Sequence, residues 1–370
     1  MLIKKANTFS VLKNVYLSRS EPISVVHFIT NRCNARCSFC FIDFENPETF
    51  KAELSLDEIE KLTKSFGNSL LNVNFTGGEP FARKEFKDIA KFYIKNTTIQ
   101  SIYITTNGSL PERIIDFAKD IYNFDKNVEQ TFQISIDNFP DKHNKVRKIK
   151  NLFNDCYEVF HKLKEMEQSI NPVICITVTQ ENCDDIKDIY YDFLNKYNFN
   201  SIKCIAVRDE GVYKTPENLK EKIFNAYSWL SKKIEEDTKK GLLQNYNSKT
   251  LQGRLHRKKD IIANNMVRKM YLDPHYISPC HAGSLFGVIT ASGDIYPCEI
   301  LEDKIIGNLR EFDMNFLNIW KSSQNKKIKS EILRNKCHCT YECALSYNVL
   351  SNWRYQPSLI SSAINISSKY

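Results

Sequence analysis

The chain has 370 residues, of which 42% are hydrophobic, and its 52 Lys and Arg against 44 Asp and Glu give a formal net charge of +8. This size predicts roughly two or three domains with a substantial buried core, and the low counts of 11 glycines and 11 prolines exclude a collagen-like or low-complexity protein. Because the first residues lack the apolar core of a signal peptide and no run approaches the ~18 apolar residues of a membrane span, we expect a cytosolic protein without membrane contact.

Short apolar segments alternate with amphipathic ones through the first half of the chain. Six segments rich in β-branched residues are predicted strands: Ile23–Thr30, Asn72–Phe75, Ser101–Thr105, Gln133–Ile136, Val173–Val178 and Ile202–Val207. Helical patterns separate them, and Ser55 with Glu58 forms a capping box at the start of one helix. The alternation predicts an α/β fold of βαβ units with a parallel sheet. It does not distinguish an open sheet from a barrel, and in either case ligands bind at the carboxyl ends of the strands.

Changes of pattern divide the chain into five predicted segments. They are an N-terminal extension (1–22), the α/β core (23–212), a helical and basic connector (213–272), a compact second module (273–343) and a tail without recognisable chemistry (344–370). In the second module, strand candidates Phe286–Thr290 and Asp294–Tyr296 flank a turn at Gly293.

The chain contains 12 cysteines, an unusual number without export signals. Cytosolic thiols are rarely paired in disulfides. Four of them stand alone and are predicted to be small buried hydrophobes: Cys156, Cys175, Cys183 and Cys204. The other cysteines form one group near the start and one near the end, and such groups in a cytosolic chain indicate metal sites.

The first group follows the first predicted strand with the spacing C-x3-C-x2-C: Cys33, Cys37 and Cys40. Three thiolates can hold three irons of a [4Fe–4S] cube and leave the fourth iron without a protein ligand, which makes such a cluster chemically reactive. A zinc site or a chance cluster of reduced thiols is the alternative, although zinc sites prefer paired knuckles with four ligands.

This loop resembles the radical S-adenosylmethionine (SAM) enzymes, whose signature has the same cysteine spacing and an aromatic residue before the last cysteine, here Phe39. After the second strand, Gly77, Gly78, Glu79 and Pro80 are similar to the family's GGEP motif, whose backbone binds the methionine amino group of SAM. Two glycines permit a close approach of the main chain to a ligand.

The resemblance also implies SAM-binding residues at the ends of the third and fourth strands: Thr105, Asn107, Ser135 and Asp137. The segment that ends at Arg147 resembles the family's H-D-x-x-R sequence, which implies that Arg147 binds the SAM carboxylate through its planar fork of donors. Taken alone, Asn107 is explained as part of a turn and Arg147 as part of a solvated basic helix face.

The second group comprises Cys280, Cys298, Cys337, Cys339 and Cys343. On spacing alone it fits a zinc ribbon. With Gly293 between the first two cysteines, it resembles the SPASM/twitch extension of radical SAM enzymes, which holds auxiliary [4Fe–4S] clusters. A full SPASM domain has more cysteines and a second cluster, so the resemblance implies one auxiliary cluster here. Cys280, Cys298 and Cys343 are the expected ligands, and the fourth is either Cys337 or Cys339.

The resemblance implies a fold and a reaction. The fold is a partial (β/α)6 TIM-like barrel with a small C-terminal iron–sulfur domain of the twitch or SPASM type. The reaction is reductive cleavage of SAM to a 5′-deoxyadenosyl radical that takes a hydrogen atom from a substrate. An electron donor such as flavodoxin or ferredoxin is the expected partner.

Two substrate classes are compatible with that chemistry. We expect a peptide or protein first, matured by oxidation, crosslinking or epimerisation, and a sugar or aminocyclitol is the alternative. Asp209 and Glu210 end the sixth strand and are candidate proton acceptors, or else belong to a solvated junction.

Functions of another class are a nucleic-acid modification enzyme and a non-catalytic iron–sulfur protein. Basic runs at Lys142–Lys150, Arg254–Lys259 and Lys326–Lys336 are compatible with nucleic-acid binding. Such runs are usually solvated helix faces, and no RNA-binding module is visible, so we expect no nucleic-acid partner.

Overall fold

A computed structural model describes residues 4–50, 52–209, 211–246 and 250–364. Its centre is one nine-stranded sheet in the order β6-β5-β4-β3-β2-β1-β7-β8-β9. The strands are β1 Ser24–Thr30, β2 Asn72–Gly77, β3 Ser101–Thr106, β4 Glu129–Ser135, β5 Ile170–Val178, β6 Ile202–Ala206, β7 Phe286–Ile289, β8 Asp294–Tyr296 and β9 Gly307–Asn308. Strands β1 to β6 pair in parallel with their neighbours, which confirms the predicted α/β fold.

Helices follow most of the parallel strands, as the alternating pattern predicts. They are α1 Thr8–Lys13, α2 Leu56–Lys64, α3 Phe86–Asn96, α4 Pro111–Phe124, α5 Pro140–Arg147, α6 Leu152–Lys164, α7 Ile186–Asn195, α8 Glu217–Lys239, α9 Leu251–Met270, α10 Phe316–Trp320, α11 Ser323–Arg334, α12 Glu342–Ser351 and α13 Gln356–Ile364. The predicted capping box is present: the Glu58 backbone N–H donates to Ser55 Oγ (3.2 Å), and the Ser55 N–H donates to Glu58 Oε2 (2.7 Å). No helix among the described residues is long and apolar enough to cross a membrane.

The sheet has an apolar face and a polar face. Along β3, Ile102 and Ile104 are fully buried in the main hydrophobic core. The residues that alternate with them, Ser101, Tyr103 and Thr105, are only half-buried. Side chains of a strand alternate between its two faces. The apolar residues therefore pack beneath the helices, and the polar ones line the interior of the curved sheet.

The sheet does not close on itself, because β6 and β9 are its two edges. This agrees with a partial barrel. The predicted strands match closely except for two early starts: β5 begins at Ile170 and not at Val173, and β4 begins at Glu129 and not at Gln133. The apolar pattern misses this start because a buried polar residue, Gln130, donates its amide to Ala118 O (3.1 Å) instead of facing solvent.

The second module is joined to the same sheet. Strand β7 pairs in parallel with β1, with Ser24 opposite Phe286 and His27 opposite Ile289, and the antiparallel strands β8 and β9 follow. The late cysteines are thus held next to the strand that leads to the early ones.

The connector and tail pack across the open side of the barrel. Helix α9 packs against α12 and α13. In α12, Glu342 Oε1 accepts a hydrogen bond from the Ala206 N–H at the end of β6 (3.3 Å), and the Tyr347 hydroxyl donates to Ser24 Oγ on β1 (2.6 Å). Helix α12 therefore links the edge strand β6 to the central strand β1.

We predict that replacing Tyr347 with Phe lowers the free energy of unfolding by about 1 kcal/mol, because it removes the hydroxyl that bonds Ser24 Oγ and accepts from Asn74 Nδ2. Denaturant unfolding measures the effect. The matched control is Tyr355→Phe, whose hydroxyl meets only the weak acceptor Met266 Sδ (3.8 Å). Equal stability of the Tyr347 variant and wild type would contradict the bridging role of α12.

Candidate active site

The early cysteines lie in the loop that leaves β1 at its carboxyl end. The Ala35 N–H donates to Cys33 Sγ (3.4 Å), and the Cys40 N–H donates to Cys37 O (3.2 Å). Burial raises the pKa of all three thiols, that of Cys33 to about 11. Bound metal would therefore have to displace protons from these thiols.

Two other segments hold this cysteine loop in place: the turn after β3 and the end of α5. Asn107 Nδ2 donates to Asn34 Oδ1 (2.9 Å) and lies 3.8 Å from Cys33 Sγ. Arg147 Nη1 lies 3.8 Å from Cys37 Sγ, and the Arg147 carbonyl accepts from the Arg36 N–H (3.2 Å). The structure thus brings Asn107 and Arg147, both predicted from the motif, against the cysteine loop.

The Gly77-Gly78 turn touches the backbone just before Cys33. The Gly78 N–H donates to Thr30 O and the Glu79 N–H donates to Arg32 O, both at 2.8 Å. Gly77 has φ +140°, and a Cβ there would lie 2.0 Å from Thr30 O. The motif predicts that these glycines permit close approach of a ligand, and the structure shows that close packing of two backbones already requires them.

Glu79 is buried and links three segments. Its Oε1 accepts from the Phe81 N–H (3.1 Å) and the Thr106 hydroxyl (2.8 Å), and its Oε2 accepts from the Asn107 N–H (2.7 Å). Burial raises its pKa to about 7, opposed by these hydrogen bonds. Pro80 then begins a short 3-10 turn. Glu79 thereby holds the β3 loop against the glycine turn.

Asp137 and Arg147 form a buried ion pair. Arg147 donates to Asp137 Oδ2 from Nε (2.9 Å) and Nη2 (2.6 Å), and Asp137 Oδ1 accepts from the Thr177 N–H (2.9 Å). The Phe39 ring centroid lies 5.6 Å from the guanidinium. Arg147, predicted to bind a SAM carboxylate, therefore has the carboxylate of Asp137 as its partner and presents Nη1 to Cys37.

Thr105 and Ser135 lie on the polar face, at the carboxyl ends of β3 and β4. Thr105 Oγ1 accepts from Gln133 Nε2 (3.5 Å), and Ser135 lies opposite Cys175 in the sheet. Both residues are half-buried and face the barrel interior. Their position is compatible with the predicted contact to SAM.

Four of the five late cysteines lie together. The Cys337 thiol hydrogen-bonds Cys280 and lowers its pKa. Cys298 interacts electrostatically with Cys339 and Cys280, and Cys337 with Cys339 and Cys298. Cys280 and Cys298 are buried, and Cys337 and Cys339 are half-buried. Soft thiolates of this kind suit an iron–sulfur cluster.

Cys343, expected to be a ligand, has different neighbours. The strongest influences on its thiol after burial are Glu299 and Arg208. The Cys343 residue is exposed, unlike the buried Cys280 and Cys298.

A cavity of about 270 Å3 separates the two cysteine groups. On one side it is lined by Phe41 and Ile42, directly after Cys40, and on the other by Cys298 and Glu299. The complete lining is Phe28, Asn31, Phe41, Ile42, Asp43, Thr49, Arg208, Val288, Thr290, Tyr296, Cys298, Glu299, Ile300 and Glu302. A small molecule or side chain in this cavity therefore lies beside Cys298 and beside the segment that follows Cys40.

Arg208 lines this cavity and pairs with Glu299. The sequence pattern did not indicate Arg208, and the candidate proton acceptor predicted at this strand end is the next residue, Asp209. Asp209 Oδ1 instead accepts from the Thr215 N–H (2.8 Å), and its Oδ2 lies 3.8 Å from Lys220 Nζ, outside the cavity lining. Glu210 lies outside the described residues. The alternation of side chains could have indicated Arg208, because neighbouring residues of an extended chain point to opposite sides.

Within the described ranges, no three His, Cys, Asp or Glu side chains converge tightly enough for a single metal ion. The ligands of one zinc ion must surround a common point at short distance. The thiolates of an iron–sulfur cluster bind separate irons and need not surround one point.

We predict that Glu79→Gln lowers the free energy of unfolding by about 1–3 kcal/mol. The side-chain amide nitrogen of the glutamine would face either the Phe81 N–H or the Asn107 N–H, and that backbone donor would lose its acceptor. Denaturant unfolding measures the loss, with Glu85→Gln, an exposed carboxylate near the same turn, as control.

The effect of Glu79→Gln should depend on pH. Because the pKa of Glu79 is raised from 4.5 to about 7, wild type loses stability from this group as pH rises between those values, and the Gln variant does not. The difference between the two proteins should therefore be larger at about pH 5 than at about pH 8. A difference that grows with pH would contradict the buried, proton-retaining carboxyl.

Comparisons with known proteins agree with this geometry. A profile of the radical SAM superfamily matches residues 28–192, and the SPASM profile, an iron–sulfur cluster-binding domain, matches residues 280–344. A curated relative, GTP 3′,8-cyclase of Cronobacter sakazakii, is 43% identical over 83 residues, 22% of this chain and 25% of that enzyme. The chain therefore aligns with only a quarter of that relative's length.

Two solved structures show the same fold. Native anSMEcpe with bound AdoMet has a TM-score of 0.60 at 20% identity and covers 93% of this chain and 100% of its own. Streptococcus suis SuiB bound to precursor peptide SuiA has a TM-score of 0.56 at 15% identity and covers 87% of this chain and 69% of its own. At these identities the likeness concerns the fold alone.

Radical SAM domains bind a [4Fe–4S] cluster and SAM, and SPASM domains bind auxiliary iron–sulfur clusters. Both matched regions coincide with the cysteine groups described above, at the carboxyl end of β1 and around β7 and β8. The chain belongs to the radical SAM superfamily and carries a SPASM iron–sulfur domain.

Proposed function

We propose that this enzyme abstracts a hydrogen atom from a peptide held in the cavity between the two cysteine groups, as a step in peptide or protein maturation. The observation that carries this proposal is the cavity itself, whose lining includes Phe41 beside Cys40 and Glu299 beside Cys298. A substrate there contacts the surroundings of both cofactor sites.

In this proposal Cys33, Cys37 and Cys40 hold the cluster that binds SAM, and together these cofactors supply a 5′-deoxyadenosyl radical. The residues of the chain orient the bound SAM. Carbonyl oxygens of the Gly77–Pro80 turn would accept from its ammonium group, and Asn107 and Ser135 lie at neighbouring strand ends. Asp137 keeps Arg147 beside Cys37.

Two features favour a peptide over a nucleotide. The relatives of similar fold include SuiB bound to a precursor peptide. The cavity lining contains three carboxylates, Asp43, Glu299 and Glu302, against one guanidinium, Arg208. Such a lining repels a triphosphate, so we do not extend the substrate of the GTP cyclase to this chain.

The basic runs do not favour nucleic acid as a substrate. Lys142 is paired with Asp185 (2.5 Å), and Lys259 is paired with Asp260 (2.7 Å). Pairs of this kind reduce the free positive charge available to a phosphate backbone. A small reducing protein such as flavodoxin or ferredoxin remains the partner we propose.

Anaerobic incubation of the reconstituted enzyme with SAM and dithionite tests the proposed chemistry. We expect 5′-deoxyadenosine from wild type and none from Cys37→Ala, because the latter loses one of three thiolates that leave an iron open to SAM. Cys183→Ala, which changes a buried thiol far along the chain, is the control and should retain product formation. Absence of 5′-deoxyadenosine from loaded wild type would refute the proposal.

The ligand set of the auxiliary cluster is a second proposal: Cys280, Cys298, Cys337 and Cys339, with Cys343 outside the set. We predict that Cys339→Ala lowers the iron content from about eight to about four per chain, whereas Cys343→Ala leaves it near eight. Iron analysis and the visible absorption of the reconstituted variants measure this. Iron loss in Cys343→Ala with full loading of Cys339→Ala would reverse the assignment.

A further inference from the structure

The guanidinium of Arg208 is the cation of the cavity, and it lies where three cysteine-bearing segments meet. Its Nη1 donates to Glu299 Oε2, next to Cys298. Its centre lies 4.4 Å from the Tyr341 ring centroid and 5.8 Å from that of Phe41, next to Cys40. We propose that Arg208 binds backbone carbonyl oxygens of the peptide substrate and that Glu299 makes it select neutral over anionic groups. This inference rests on the proposed function.

Arg208 has unused hydrogen-bonding capacity. A guanidinium carries five N–H donors. Among the described residues, Glu299 is the only acceptor bonded to Arg208, and 28% of the Arg208 side chain remains accessible. Because Tyr341 covers one face of the guanidinium, its spare donors lie along the edge. Since Arg208 lines the cavity, that edge is available to a substrate acceptor there.

The charge around Arg208 identifies the kind of acceptor. Glu299, with only 10% of its side chain accessible, already neutralises the guanidinium. Asp43 and Glu302 add two more negative charges to the lining. A substrate carboxylate would meet a net negative lining and be repelled, with an energy that grows as the site excludes water. A peptide carbonyl is a neutral acceptor with two lone pairs and meets no such repulsion.

The remaining walls suit the side chain of a peptide residue. Phe28 and Phe41 meet edge to face with ring centroids 6.2 Å apart, and Val288 and Ile300 are further apolar lining residues. A residue held by its backbone at Arg208 can place its side chain against these walls, between the two cysteine groups. Arg208 would thereby be a substrate-binding residue that sets position as well as affinity.

Binding of two uncharged-backbone probes tests the inference. The probes are acetyl-Gly-norleucine-Gly-amide and acetyl-Gly-Glu-Gly-amide, which share the same blocked backbone and carry a neutral and an anionic central side chain of similar length. They are added at millimolar concentration to reconstituted enzyme with SAM and no reductant, and binding is measured by equilibrium dialysis. For wild type we expect saturable binding of the norleucine probe and weaker binding of the Glu probe.

Two variants separate the roles of the pair. Arg208→Met should weaken the binding of the norleucine probe about tenfold, because the backbone carbonyls of the probe lose a charged donor. Glu299→Gln should strengthen the binding of the Glu probe about tenfold, because the Arg208 charge is no longer neutralised. The affinity for the norleucine probe should stay within about twofold of wild type. Arg354→Met, which changes an arginine outside the cavity lining, is the matched control and should alter neither probe.

The outcomes distinguish this inference from the proposed function. Iron content and near-ultraviolet circular dichroism establish that each variant is folded and loaded. Any of three results would overturn the inference even if wild type forms 5′-deoxyadenosine. They are unchanged binding of the norleucine probe to loaded Arg208→Met, unchanged binding of the Glu probe to loaded Glu299→Gln, and no saturable binding of either probe to wild type. The predicted binding order without 5′-deoxyadenosine would instead refute the radical chemistry and leave the binding role of Arg208 in place.

Discussion

The close contact between two backbones at the carboxyl ends of β1 and β2 is the constraint on which the site depends. The Gly77-Gly78 turn lies so near Thr30–Arg32 that Cβ atoms on either glycine would approach carbonyl oxygens to within 2.0–2.3 Å. Two hydrogen bonds of 2.8 Å hold this contact. Because Cys33 follows directly, the position of the cysteine loop is fixed by the glycine turn and not by metal binding alone.

Strand β1 also connects this contact to the SPASM domain. It pairs with β2 on one side and with β7 on the other, so both cysteine groups are built on adjacent strands of one sheet. Helix α12 bonds to Ala206 on the edge strand β6 and to Ser24 on β1, and thereby links these two strands. The distance across the cavity is therefore set by regular hydrogen-bonded structure, which suits a substrate that must lie near two cofactors.

Much of this arrangement could be predicted from the sequence, since β-branched runs, the capping box at Ser55 and the cysteine spacings are local signals. The partners of side chains could not be predicted in the same way. Asp137 and Arg147 each had a family role as separate motifs, yet they form one buried ion pair between the end of β4 and the end of α5. The pairing of Arg208 with Glu299, and the exposure of Arg208 rather than Asp209 to the cavity, likewise depend on how distant segments pack.

The central claim is that three early thiolates hold a cluster with one iron left open to SAM. Electron paramagnetic resonance of the dithionite-reduced Cys280→Ala/Cys298→Ala variant tests it most directly, because the signal then comes from the first cluster without overlap from the auxiliary one. Addition of SAM should change the g values of that signal, since SAM becomes a ligand of the open iron. A reduced-cluster spectrum that is identical with and without SAM would contradict the account.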